Sequence, residues 1–327
     1  MRLKKALITG ISGQDGSFLA ELLLSKGYEV HGIVRREALE DSKIRLRNIN
    51  SIIDKVYLHV GSIENHLSVY KVIAQVIPCQ CYHLASSSFV SYNFEDEASV
   101  LENNFLATHA LMASIKELAP SCRVYFAGSS EMFGDARSSP QNEQTPFNPR
   151  SVYGISKLAA FHLARNYREH HQLFVSAGIL YNHESIRRGY QFVTRKITHT
   201  VAKIHLGLAD CIELGNIKAQ RDWGYAPDYV EAMYLMLQHE KPKDYVIATG
   251  VLHTVEDFHK KAFDVVGYDY GKYLKISEAY LRPGEVVPLC GDASKAKSDL
   301  GWNSTKSLSD IVEEMVLNDI DLLSRTL

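Results

Sequence analysis

No apolar run in this 327-residue chain is long enough to cross a bilayer, so no membrane-spanning helix is expected. Charge of one sign is not in excess either. The 36 Lys and Arg against 38 Asp and Glu leave a net charge of -2, which gives no electrostatic footprint for nucleic acid or a membrane surface. Cysteine is sparse: Cys79, Cys81, Cys122, Cys211 and Cys290 make an odd five, and no paired CxxC spacing of a zinc site is present. They read as structural thiols of a reducing cytoplasm, with no metal expected. None of the fourteen histidines, His31, His83 and His183 among them, has metal-ligand spacing, and they read as packing or polar residues. Met1-Arg2-Leu3-Lys4-Lys5 leads straight into a short apolar run ended by Gly10, which is not a secretory signal pattern. What the chain does have is a hydrophobic fraction of 46%, enough for a proper core in one large α/β unit or two unequal ones.

The stretch from Val124 to Lys157 organises the rest. Val124 to Ala127 reads as a short buried strand, followed by Gly128, Ser129, Ser130 and Glu131 at its end. In an open α/β sheet, strand ends are where ligands sit. Tyr153 and Lys157 follow, four apart, at the start of a helical pattern running to about Glu169. The spacing sets phenol and ammonium on one helix face, where the lysine is expected to lower the phenol's pKa. A phenolate is a competent base for a hydroxyl about to lose a hydride. A lone YxxxK pair is also common on ordinary helices, so its weight comes from what precedes it.

Lys5 to Thr9 is a short apolar strand. Gly10, Ser12, Gly13, Gln14, Asp15 and Gly16 follow, and then Phe18, Leu19, Leu22 and Leu23 recur at helical spacing. Strand, glycine loop and helix form the context of a dinucleotide site, where the backbone approaches a pyrophosphate held at the helix N-terminus. The second strand, Glu29 to Val34, ends in Arg35-Arg36. Arginine there suits the 2′-phosphate of NADP, whereas Glu37 turned toward the ribose would suit NAD. Lys43, Arg45 and Arg47 continue the basic segment, or simply form a solvated helix face.

The third strand is Val56 to Val60, with Ser62 and Ile63 after it where an adenine would lie; residues 66 to 76 read as a helix. The fourth strand, Gln80 to Leu84, leads into Ala85, Ser86, Ser87 and Ser88, small enough for a cofactor to run past the sheet edge. Asn103, Asn104 and Thr108 begin a helix to about Leu118, and Phe174 to Leu180 is a sixth strand. This order predicts an α/β fold with a doubly wound parallel (Rossmann) sheet over residues 1-181, to which a later segment of about 217-250 returns. Beyond Tyr181 the chain turns polar and arginine-rich. Residues 182-327 are expected to form mainly a smaller substrate-binding lobe that shares a cleft with the first. Tyr245 to Thr249 reads as a strand and Ser307 to Leu323 as an amphipathic helix. Asp228 and Glu231 fit a capping box for a helix Tyr229 to Leu237, a structural role.

Taken together, the strings LITGISGQDGSFLAELLLSKGYEVHGIVRR, SSEMFG, TPFNPRSVYGISK, YNHESIRRGYQFVTRK and RDWGYAPDYVEAMYLMLQ resemble the extended short-chain dehydrogenase/reductase family. Within it, nearly the whole chain is similar to the GDP-mannose 4,6-dehydratases. The resemblance implies NADP, a GDP-linked hexose or heptose as substrate, and a homo-oligomer, a tetramer or dimer with the arginine-bearing loop after the second strand at an interface. It implies Tyr153 as base with Lys157 as partner, Ser129 where the family has threonine, and Glu131 as catalytic glutamate. It sets Leu84, Ala85 and Ser86 against the cofactor. It sets Ser88, Asn182, Val193, Lys196, Arg221, Arg282 and Glu285 against the nucleotide sugar, and Arg221 and Arg282 have the forked geometry that pairs with a pyrophosphate. Ser62 stands where an aspartate is expected, Ala85-Ser86-Ser87 where the family has an Ala-Ala-Gln-like run, and Ile186 in place of proline.

The implied reaction is redox-neutral overall. C4 of the sugar is oxidised, water leaves across C5 and C6, and the hydride returns to C6, with Glu131 acting first as C5 base and then as C6 acid. An NADP-dependent GDP-sugar epimerase or 4-keto reductase would share Ser129, Tyr153 and Lys157 and would have no need of Glu131. A binding protein that only senses NADP would need none of the four.

Overall fold

The computed structural model describes residues 4-87, 94-280, 288-325 and 327. The strands are β1 Lys5–Thr9, β2 Glu29–Val34, β3 Val56–Val60, β4 Gln80–His83, β5 Arg123–Ser129 and β6 Val175–Leu180. They continue with β7 Asn182–Glu184, β8 Ile212–Leu214, β9 Gln220–Tyr225, β10 Tyr245–Ile247, β11 Leu252–Thr254 and β12 Leu274–Ile276.

Seven strands form one parallel sheet in the order β10-β6-β5-β4-β1-β2-β3. A parallel sheet is covered on both faces, so its strands read as near-continuous apolar runs. β6 is buried at every residue. On one face, helices His66–Val76, Ala107–Leu118 and Val152–His171 bury Val72, Ile115, Phe161 and their neighbours. On the other, helices Gln14–Ser25 and Ala226–Gln238 bury Leu19, Leu23, Met233 and Met236. The chain starts at β1 in mid-sheet and winds outward both ways, so β1 and β4 flank the point where strand order reverses. The loops after their carboxyl ends part there and leave a crevice.

β10 joins the sheet edge beside β6. It stops at Ile247 rather than Thr249, because the Thr249 N–H and hydroxyl both donate to the buried Asp222 carboxylate. Helix Ala226–Gln238 begins earlier than expected and carries no side-chain cap. Asp228 lies inside it, and its carboxylate accepts from Thr305 N at 2.8 Å and Thr305 Oγ1 at 2.7 Å. The capping box assigned to Asp228 and Glu231 is therefore corrected to a long-range tie.

A third core lies apart from the sheet. Helices Val193–His205, Val255–Val266 and Leu308–Ser324 pack Phe258, Phe263, Ile311 and Met315 around Trp223 of β9. The last helix starts with the Ser307/Asp310 capping box. A buried ion pair, Arg195 to Asp319 at 2.6 Å, fixes Val193–His205 against it. Small sheets β11-β9-β7 and β12-β8 complete this part. Among the described residues no helix is long and apolar enough to cross a membrane, and no cluster of three or more His, Cys, Asp or Glu could hold a metal ion.

Candidate active site

A cleft of about 980 Å³ runs between the carboxyl edge of the sheet and the third core. One wall starts at β1. Its last residue, Thr9, accepts from Leu84 N and Ala85 N at 3.1 Å, which draws the loop after β4 against the glycine loop. Gly16 makes that loop possible, since a Cβ there would stand 2.2 Å from the Gly10 carbonyl oxygen. Helix Gln14–Ser25 then opens with no side-chain cap on its N-terminus, an end whose dipole favours an anion. Gly10, Gly13, Gln14, Asp15, Gly16, Leu84, Ala85 and Ser86 all line the cleft.

The opposite wall is the end of β5 and the start of helix Val152–His171. β5 runs two residues further than expected, so Ser129 is its last residue, and Glu131 sits in the short turn Ser130–Met132 that follows. The Ser129 hydroxyl accepts from Glu131 N at 3.2 Å, so the turn residue is also a cap. Ser151 caps the long helix, its hydroxyl accepting from Gly154 N at 3.0 Å. Gly154 lets that helix start directly against the Glu131 turn, because a Cβ would meet the Glu131 carbonyl oxygen at 2.6 Å. Ser129, Glu131, Tyr153 and Lys157 thus share one wall.

The electrostatics of this wall differ from the expectation in one respect. Burial pushes the Tyr153 phenol up to about 12, opposed by a hydrogen bond from Ser129, reinforced by the Glu131 charge, and opposed again by Arg188 and Ser86. Lys157 is not what lowers it. The Lys157 ammonium donates to the Ala127 carbonyl at 2.9 Å and lies over the Phe126 ring, 5.5 Å from its centre. Burial brings Lys157 itself down to about 8. A buried network fixes the Ser86 side of the site. Asn104, in the π-helical turn Glu102–Leu106, accepts from Ser86 Oγ at 2.8 Å and Ser87 N at 3.2 Å, and donates to Ser156 Oγ at 3.0 Å.

Of the residues expected on the sugar nucleotide, Asn182, Val193, Lys196 and Arg221 line the far side of the cleft. Val193 opens helix Val193–His205, whose N-terminus, like that of Gln14–Ser25, has no side-chain cap. Ser88, Arg282 and Glu285 lie outside the described residues. Ser12, Arg35, Arg36, Ser62 and Ile63 stand beyond the cleft lining at the carboxyl ends of β1, β2 and β3. The Ser12 carbonyl accepts from Asn48 Nδ2 at 3.0 Å, and Arg35 pairs with Glu64 at 2.9 Å.

Arg47, Asn48, His183, Arg187, Arg188 and Gln191 also line the cleft and were not singled out as site residues. The polar density of NHESIRRGYQ was the only signal for most of them. No spacing rule separates Arg188, stacked on Phe192 at 3.6 Å and paired with Glu184 at 3.1 Å, from an arginine on the surface. His183, read as a packing or polar residue, is 2.8 Å from Asp15 and joins the glycine-loop helix to β7.

The family profile of GDP-mannose 4,6 dehydratase matches residues 7–315. GDP-mannose 4,6 dehydratase 2 of Arabidopsis thaliana is 46% identical over 332 residues, covering 98% of this chain and 88% of that protein. GDP-mannose 4,6 dehydratase of Homo sapiens is 43% identical over 341 residues, covering 97% and 92%. Among solved structures, RMD from Pseudomonas aeruginosa complexed with NADPH superposes with a TM-score of 0.82 at 19% identity, covering 98% of this chain and 99% of that one, which bears on the fold. A match of this extent, along a chain whose cleft gathers Ser129, Glu131, Tyr153 and Lys157, means that the chain belongs to the GDP-mannose 4,6-dehydratase family.

Proposed function

We propose that this protein is an NADP-dependent 4,6-dehydratase that converts GDP-mannose to the 4-keto-6-deoxy sugar and water. The observation that carries the reading is the carboxylate of Glu131 in the same wall as Ser129, Tyr153 and Lys157. An enzyme that only moved a hydride at C4 would need no such group.

The residues fit a dinucleotide. The uncapped N-terminus of Gln14–Ser25 faces the cleft, and Gly16 keeps the loop close enough for a pyrophosphate to sit on backbone N–H groups. Arg35 and Arg36, both exposed at the end of β2, supply the charge for a 2′-phosphate. When bound, NADP⁺ supplies an acceptor for the C4 hydride and a donor that returns it to C6.

Tyr153 takes the O4 proton and Ser129 hydrogen-bonds the oxygen that becomes the ketone. The ketone acidifies C5–H. Glu131 removes that proton and gives it to the C6 hydroxyl, which leaves as water. The proton held by Tyr153 returns at C5, so the balance is the loss of one water. Lys157 holds positive charge near the phenol. On the far side, Lys196 and Arg221 face the diphosphate of the sugar nucleotide together with the N-terminus of Val193–His205, and Asn182 orients the sugar. Residues from 182 on, apart from the returning helix and β10, form the substrate lobe in this reading. The exposed segment with Leu39 and Ile44 after β2 serves as a subunit contact in a homotetramer. Light scattering at micromolar concentration tests that assembly, and a fully active monomer would refute it.

The deciding experiment incubates the enzyme and NADP⁺ with GDP-mannose, GDP-manno-heptose and other GDP-sugars and follows product mass. GDP-mannose should lose one water, with a C4 deuterium recovered at C6 of the same sugar. Unchanged mass with altered stereochemistry, or label on released cofactor, would overturn the reading.

A further inference from the structure

We propose that His183 is held as an imidazolium and acts as a positioning residue, clasping the glycine-loop helix through Asp15 to the strand that carries Asn182. The geometry of its ring carries the inference. Nδ1 lies 2.7 Å from the Tyr181 carbonyl oxygen and Nε2 lies 2.8 Å from Asp15 Oδ2. The Tyr181 carbonyl can only accept, and so can Asp15 as the carboxylate, the form that His183 favours by lowering its pKa. A neutral imidazole has a single N–H and would leave one contact as acceptor against acceptor, so both nitrogens carry protons. The ring is buried and stacks on Tyr229, with centres 4.4 Å apart and planes at 24°. An aromatic face accepts a cation well.

The clasp has further strands. Gln14 Nε2 donates to the His183 carbonyl at 3.1 Å, and Ser185 Oγ donates to Gln14 Oε1 at 2.8 Å. Arg187 reaches the same helix, donating to Ser17 Oγ at 3.1 Å and pairing with Glu21 at 2.6 Å. His183 differs from these in what it does to charge. Asp15 sits in the first turn of Gln14–Ser25, where its carboxylate would repel the phosphate that the helix N-terminus attracts. The imidazolium cancels that charge while fixing the helix start in place.

The groups facing the ring are Asp15 and Gln14 from Gln14–Ser25, Tyr229 from Ala226–Gln238, and Arg188 from the turn after β7. Burial works against the His183 charge, yet the Asp15 charge and hydrogen bond, with the Tyr181 carbonyl, outweigh burial and Arg188, so its pKa is raised. Burial likewise works against the Asp15 charge, and His183 outweighs it, so that pKa is lowered. Tyr125, next to Asp15, is raised by burial and stays neutral. A raised histidine stabilises the clasp fully below its unfolded pKa of about 6.5 and loses that contribution as pH rises through the folded value.

The link to cofactor affinity rests on the dinucleotide reading above; the protonation state does not. Histidine-labelled protein examined by long-range ¹H–¹⁵N NMR should show one ring with both nitrogens protonated at neutral pH and above. That signal should vanish in His183→Gln. It should become a neutral ring in Asp15→Asn, where the near-isosteric amide can donate to Nε2. By calorimetry with NADP⁺, His183→Gln should bind about tenfold more weakly than wild type at about pH 6, the size of one charge-assisted hydrogen bond. The gap should close as pH rises through the raised folded-state pKa of His183. A neutral His183 ring in the wild type, an imidazolium that survives Asp15→Asn, or a gap constant with pH would each overturn the proposal. Failure of the wild type to bind NADP⁺ at all would remove the cofactor reading and with it the positioning role, and would leave the imidazolium to be judged by NMR alone.

Discussion

The Lys157 ammonium lies 5.9 Å from the centre of the Tyr153 ring, and burial moves the two pKa values toward each other, Tyr153 up to about 12 and Lys157 down to about 8. The site therefore stores an unfavourably buried charge on the lysine next to a phenol whose ionisation burial also disfavours. The ordinary helix pair suggested by a four-residue spacing would do neither, since both groups would stay in water.

Lys157→Met removes that buried charge. The folded lysine gives up its proton at a pH where the unfolded one keeps it, so the unfolded state binds more protons between about 8 and about 10.5. Wild-type stability from this group is lowest below the folded value and recovers as pH rises through that window. The variant, measured against wild type by thermal melts, should fare best near neutral pH, and its relative standing should fall as pH approaches about 10. Turnover should drop by about a hundredfold or more at every pH. A stability difference that does not change with pH would contradict the buried-charge account.

Glu131 and Tyr153 should come apart by mutation. Tyr153→Phe keeps the ring and removes the base, so C4 oxidation and every later step should stop. Glu131→Gln keeps the shape and cannot take the C5 proton. There C4 oxidation should survive in part while exchange of C5–H with solvent deuterium falls by about a hundred- to ten-thousand-fold. Product formation by Glu131→Gln at near wild-type rate, read by mass, would remove its assigned role.

Arg35 and Arg36 are exposed at the end of β2, with Arg35 paired to Glu64 at 2.9 Å. Arg35→Asp with Arg36→Ala should cost NADP⁺ about tenfold or more in affinity relative to NAD⁺. Equal weakening of both by calorimetry would show that this strand end does not read the 2′-phosphate.

Gly154→Ala tests how closely helix Val152–His171 must approach the Glu131 turn. The added Cβ would sit 2.6 Å from the Glu131 carbonyl oxygen and 3.1 Å from Pro149 Cβ, both on backbone or ring atoms that cannot swing aside. We expect a loss of about 1–3 kcal/mol in stability, the usual size of overpacking. Turnover should fall more than substrate KM rises, because the shift moves Tyr153 against Glu131. Wild-type turnover with an unchanged melting temperature would show that the contact relaxes freely.

The sequence by itself determined the sheet and the near wall of the site. Local periodicity and glycine punctuation located β1, β2, β3 and helix His66–Val76 to the residue, because those elements are built from contiguous runs whose pattern needs no distant partner. Contiguous motifs likewise carried Gly10 to Gly16, Ser129, Glu131, Tyr153 and Lys157, all of which except Ile11 and Ser12 meet in the cleft. Only the tertiary structure decided what depends on partners far along the chain. The capping box at Asp228 was plausible until Thr305, 77 residues later, proved to hold its carboxylate. The reach of Lys157 was set by the Ala127 carbonyl rather than by its helix neighbour. His183 read as a packing or polar residue because it lacks metal-ligand spacing; its partner is Asp15, 168 residues away. Charge and hydrogen bonding act over a few ångströms of space, and only the winding of the sheet brings those residues within that range.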